Sequence, residues 1–250
     1  MSVMRAELTK FRSVSSTAWS LLSAVALIIG FGILYAMVRV TRPPADPAGF
    51  DAVGVSLAGV QVAQLAVGVL GVMVITNEYA NGLIRTTFAA VPRRTPVLRG
   101  KAGVLAIAIF ALTLPAVFGA FFTGQSVLSA EHLDVSLAEP GVARAVVGAA
   151  LYLVVVALLG LGLGAIVRHT AGGVAAMFAV LLGPQMLTGF LPAGLADDLY
   201  PWLPSPAGLA ITTARPDSAL LSPWTGFAVF LLYATAVLAL GAWRLRRRDA

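Results

Sequence analysis

The sequence predicts an all-α membrane protein of six transmembrane helices, with an interfacial helix before the first, a helix in the connection after the second, and short helices before the last. Three observations predict this. Hydrophobic residues make up 59% of the chain and charged ones only 11%, whereas about 25% charged is ordinary for a soluble domain. Six stretches contain no Asp, Glu, Lys or Arg: residues 13–38, 52–77, 102–130, 145–167, 169–196 and 218–243. Each exceeds the roughly 20 helical residues that a hydrocarbon core of about 30 Å demands. Finally, the basic residues between these stretches alternate in abundance, as loops on opposite sides of a bilayer do.

The expected spans are about 15–38, 54–76, 101–123, 145–167, 171–191 and 224–243, in a single domain over residues 1–250. Of the 17 Lys and Arg, the inner connections would carry Arg5, Lys10, Arg12, Arg85, Arg93, Arg94, Arg99, Lys101, Arg168, Arg244, Arg246, Arg247 and Arg248. The outer ones would carry only Arg39, Arg42, Arg144 and Arg215. Both termini are therefore expected in the cytoplasm, and the protein in the cell membrane. The pI of 10.3 does not point to nucleic acid, because the cations sit in short clusters beside the spans, where anionic lipid headgroups are the natural partner. There is no cysteine, so disulfides and thiolate chemistry are excluded.

Ahead of the first span, Met4, Leu8 and Phe11 recur at helical spacing while Arg5, Glu7, Lys10 and Arg12 point elsewhere. This pattern suits a helix lying in the membrane surface, with a solvated tail as the alternative. The first uncharged stretch is too long for a signal-peptide apolar region and reads as a retained anchor. Trp19, Trp202, Trp224 and Trp243 fall at or near predicted interfaces, where indole rings concentrate. In the second span Gln61, Gln64, Gly68 and Gly71 share a helical face, which either lines a translocation path or packs against another helix through hydrogen bonds. Gly160 and Gly164 make a close-packing signal in the fourth span. Met177, Gln185 and Met186 in the fifth would suit an adaptable apolar wall or ordinary packing. Between Leu191 and Pro223 six prolines preclude one continuous helix and favour several short ones.

The connection after the second span has the grammar of a short helix. Ile84, Phe88 and Val91 form an apolar stripe, Pro92 stops the run, and Thr95-Pro96 reads as an N-cap with proline at the first position of the next helix. No G-x-x-x-x-G-K-[ST] occurs, so a nucleotide would have to be hydrolysed on another chain. The uncharged cores hold no carboxylate of the kind an ion-coupled carrier needs. His132 and His169 lie in loops, without the spacing of a metal or nucleophile site.

Glu78-Tyr79, Gly82, Ile84-Arg85-Thr86-Thr87 and Pro92-Arg93-Arg94 resemble the cytoplasmic-loop signature of ABC-2 type transporter permeases, and the likeness extends to the six-span layout. Ala80 and Leu83 stand where many members carry an acidic residue and a threonine. The resemblance implies an exporter subunit that moves a hydrophobic or amphipathic substrate and is not itself an enzyme. It implies a cytoplasmic coupling helix, with Glu78, Tyr79, Gly82, Arg85, Phe88, Arg93 and Arg94 meeting a separate ABC ATPase subunit, two copies of which would pair with two permeases. ATP and Mg would belong to that partner, and this chain would bind no cofactor. The path between permease copies would draw on Gln61, Gln64, Gly68, Met177, Gln185 and Met186. A non-transporting scaffold or sensing subunit is the alternative.

Overall fold

The structure, a computed structural model, describes residues 15–42, 49–83, 94–215 and 219–247. Among them there is no strand. The helices are α1 (Ser15–Thr41), α2 (Ala52–Ser56), α3 (Ala58–Ala80), α4 (Arg94–Leu128), α5 (Val142–Val167), α6 (Thr170–Leu181), α7 (Gly183–Thr188), α8 (Ala193–Leu199), α9 (Pro204–Leu209) and α10 (Pro223–Arg247). Five of them, α1, α3, α4, α5 and α10, are long and apolar enough to cross a bilayer. The chain is a multi-pass membrane protein. The expected surface helix around Met4–Phe11 and the amphipathic run Ile84–Val91 lie outside the described residues.

Two boundaries differ from expectation for physical reasons. The fourth helix starts at Arg94 rather than after Thr95, because the first-turn N–H groups have no intrahelical acceptor and Pro96 costs nothing there. The stretch expected as a fifth span divides into α6 and α7. Pro184 has no N–H to give the Val180 carbonyl, so the ladder breaks, although Leu182 N–H still reaches Phe178 O at 2.9 Å and Met186 N–H reaches Leu182 O at 3.1 Å. The proline-rich stretch does form short helices, α8 and α9, each followed by a 3₁₀ turn, at Tyr200–Trp202 and Ala210–Thr212. Leu203 and Leu209 in this stretch are half-buried, whereas Leu199 and Trp202 are exposed. Ser205 to Gly208 fold back against α5 and α10. There Gly208 lies against the rings of Tyr152 and Phe230, whose centroids are 5.3 Å apart.

Helix α5 is the axis of the bundle, packing against α3, α4, α6 and α10. In its most apolar window 72% of the residues are buried, against 22% for α1 and for α10, which makes those two the periphery. Apolar side chains gain nothing by leaving lipid for one another, so close backbone packing must bring such helices together. The α3–α5 seam does this with small residues. A Cβ on Gly71 would stand 2.2 Å from the Ala157 carbonyl oxygen, and one on Gly160 would stand 2.3 Å from the Gly68 oxygen. Neither contact is possible, so both positions must be glycine. At the end of the bundle opposite Glu78, Gln125 fixes the helix starts: its Nε2 donates to Ala52 O (3.1 Å) and Ser56 Oγ (3.0 Å), and its Oε1 accepts from Val135 N–H (2.8 Å). Arg144 Nη2 donates to Thr213 O at 2.6 Å, tying α5 to the short helices.

Replacing Gly160 by Val forces α3 and α5 apart and is expected to cost about 1–3 kcal/mol, read as a lower thermal midpoint in detergent. Gly103→Ala, where an added Cβ meets nothing within 4 Å, should be neutral or mildly stabilising in the same assay.

Candidate functional site: a polar clasp at the basic end

Near its end α3 carries Glu78 and Tyr79. Asn81 caps the helix, and Gly82, at φ +67°, turns the chain away from the axis in a left-handed conformation that a side chain would resist. The next chain segment leads toward Arg94, where α4 begins. Two turns into α4, Lys101 places Nζ 2.8 Å from Glu78 Oε1. Both are buried, with side-chain exposures of 2% for Lys101 and 9% for Glu78. Charges so withdrawn from water persist only as partners, because either one alone would bear a large desolvation penalty. The pair thus staples α3 to α4 on either side of the connection that carries Arg85, Phe88 and Arg93.

Tyr79 continues the network. The Arg168 guanidinium carbon lies 5.4 Å from the Tyr79 ring centroid, a cation–π arrangement. Arg168 ends α5 in a left-handed conformation, φ +63°, with its N–H on Gly164 O at 2.8 Å. Its Nη2 donates to the Arg244 carbonyl at 3.2 Å, in the last turn of α10, where carbonyls have lost their intrahelical donors. Arg246 Nε donates to Thr95 Oγ1 at 3.1 Å, joining α10 to α4. Thr170 Oγ1 donates to Thr76 Oγ1 at 3.0 Å, joining α6 to α3. His169 caps α6, accepting from Gly172 N–H at 3.4 Å. Side chains from α3, α4, α6 and α10 and the cap of α5 therefore meet at one end of the bundle.

Of the residues expected to meet a partner, the structure brings Glu78 and Tyr79 into this clasp and sets Gly82 at the exit from α3. Arg85, Phe88 and Arg93 lie outside the described residues, and Arg94 is described only as the first residue of α4. Sequence reasoning missed Lys101 and Arg168, which it treated as orientation charges. A usable signal was present: the lone acid Glu78 ends one uncharged stretch, and the basic Lys101 begins the next.

The suggested path residues separate. Gln64 is buried in the α3–α5 seam, where its Oε1 accepts the Tyr152 hydroxyl and its Nε2 donates to the Gln61 carbonyl at 2.7 Å. Gly68 packs on Met177, which is also buried. Gln61 instead is exposed and lines a cavity of about 160 Å³ at the opposite end, with Asp51, Tyr200 and Thr213. Gln185 and Met186 lie on α7, the amide donating to Leu181 O at 3.2 Å and the Met 72% exposed. No protein-family model matches this chain, and neither does any curated protein.

Removing either member of the Glu78–Lys101 pair, as Glu78→Gln or Lys101→Met, should cost about 3–5 kcal/mol, and the double change distinctly less than the sum. Unfolding of the four proteins in detergent measures this, and strict additivity would mean the pair is not coupled.

Proposed function

We propose that this chain is the membrane subunit of an ABC-2 type exporter, crossing the cell membrane six times with both termini in the cytoplasm. In this reading α6 and α7 together make the fifth crossing. The carrying observation is the buried Glu78–Lys101 pair, which closes the two ends of the connection whose sequence bears the resemblance. A partner that pulled on residues 82–94 would displace α3 and α4 as one body, and Tyr79 stacked on Arg168 would hand that displacement to α5 and α10. Such an arrangement suits alternation between two states.

ATP and Mg would be held by two copies of a separate ATPase, docked through Glu78, Tyr79, Gly82, Arg85, Phe88, Arg93 and Arg94. A second permease copy, identical or related, would complete the assembly. The tight α3–α5 seam around Gln64, Gly68 and Met177 favours a substrate route between two permeases over one inside a single chain. Exposed Gln61 and Met186 remain available to such a route, along which a hydrophobic or amphipathic molecule would leave.

Purification of the tagged full chain from membranes is expected to bring an ATP-binding subunit with it. Arg85→Ala should leave insertion intact while lowering efflux and substrate-stimulated ATP hydrolysis by on the order of tenfold. Unchanged efflux and hydrolysis in that variant, or co-purification of a kinase or protease with no ATPase, would turn the assignment toward a scaffold or sensor.

A further inference from the structure

At the basic end, between the first two turns of α4 and the last turns of α10, lies a groove of about 360 Å³, within the size range of small-molecule sites. Its chemistry changes along its length. Leu98, Ala102, Leu238 and Ala242 make an apolar wall with a floor kept open by alanines. Arg99 and Arg246, both exposed, stand at the rim beside Thr95 and Trp243. Because α10 runs toward this end, Arg246 lies eight residues, about 12 Å, beyond Leu238; because α4 begins here, Thr95 lies seven residues, about 10 Å, ahead of Ala102. On α10 the lining passes from Leu238 and Ala242 to Arg246; on α4 it passes from Ala102 through Arg99 and Leu98 to the Thr95 hydroxyl. The Thr95 hydroxyl receives Arg246 Nε–H at 3.1 Å, which anchors that guanidinium to the rim.

We infer that this groove is a binding site for a single anionic phospholipid of the leaflet at the basic end. Its phosphate would meet Arg99 and Arg246, since guanidinium groups match phosphate oxygens in geometry and charge. Part of its acyl chain would lie along Leu98, Ala102 and Leu238. A soluble anion leaves the apolar wall unused. A zwitterionic lipid brings an ammonium to a rim that already holds two cations, with Arg244, Arg247 and Arg248 beside them in sequence. The site does not depend on which protein partner the chain takes. It would hold the start of α4 and the end of α10 together across the clasp, so the lipid would act on the same helix ends.

Trp243 reports occupancy directly. In the full-length chain carrying W19F, W202F and W224F, reconstituted in phosphatidylcholine nanodiscs, phosphatidylglycerol brominated near the headgroup end of its acyl chain should quench Trp243 at lower mole fraction than brominated phosphatidylcholine. The expected preference is on the order of tenfold. R99Q with R246Q should abolish the preference, R99K with R246K should retain most of it, and A242F should reduce quenching by both lipids. Equal quenching by the two lipids, quenching by neither, or displacement of the brominated phosphatidylglycerol by excess inorganic phosphate would each overturn the assignment. The lysine variant separates loss of charge from loss of fold.

Discussion

The near-contact of the α3 and α5 backbones is the constraint on which the rest of the structure depends. Gly71 meets the Ala157 carbonyl and Gly160 meets the Gly68 carbonyl at separations that admit no side chain. Two helices this close have a fixed register, and the register sets what stands at each end of the seam. At one end it brings Tyr79 to the Arg168 cap of α5; toward the other it brings Gln64 to Tyr152. The remaining helices are arranged around that pair, with α10 against the far side of α5 and α1 against α3 and α4.

Gln64, Gln125 and Thr76 are buried, and each has a partner across a helix interface or on its own backbone. An unmet amide in an apolar medium is costly, so such contacts specify which helices pair rather than adding much net stability. The Glu78–Lys101 pair is the charged version. A pair of methionines would fill the same space with less desolvation, so stability alone does not explain it. What the ion pair supplies is a directional tie between two helix ends, which an apolar contact would not hold in one geometry.

Much of this fold was legible in the sequence. Charge-free stretches locate α1, α3, α4, α5 and α10, and the prolines after Leu191 announce short helices, because both signals are local. The break between α6 and α7 was missed since a count of charges is blind to Pro184, a residue that is apolar yet withholds a backbone donor. The start of α4 was legible to within about two residues from Thr95-Pro96, and the structure carries the helix back only as far as Arg94, a good helix former. The site was legible only in its acidic half. Glu78 and Tyr79 stood out by motif, but Lys101 and Arg168 acquire their roles from neighbours distant in sequence, and no spacing rule reveals those. Likewise the amide face of α3 divides between a sealed seam at Gln64 and an open cavity at Gln61, a distinction that periodicity alone does not make.

The length of α4 has a mechanical consequence. At 35 residues it extends for about 52 Å, whereas a hydrocarbon core takes up only about 30 Å. Roughly 20 Å therefore stands outside the oily layer, shared between its two ends. A lever of this length, with Pro115 near its middle leaving the backbone ladder one bond short, magnifies small rotations: a tilt of about 5° about the bilayer centre sweeps each tip sideways by roughly 2 Å. Any hinge motion too slight to disturb the buried middle of the rod is thus delivered, enlarged, to the turns that bear Thr95, Arg99 and Lys101.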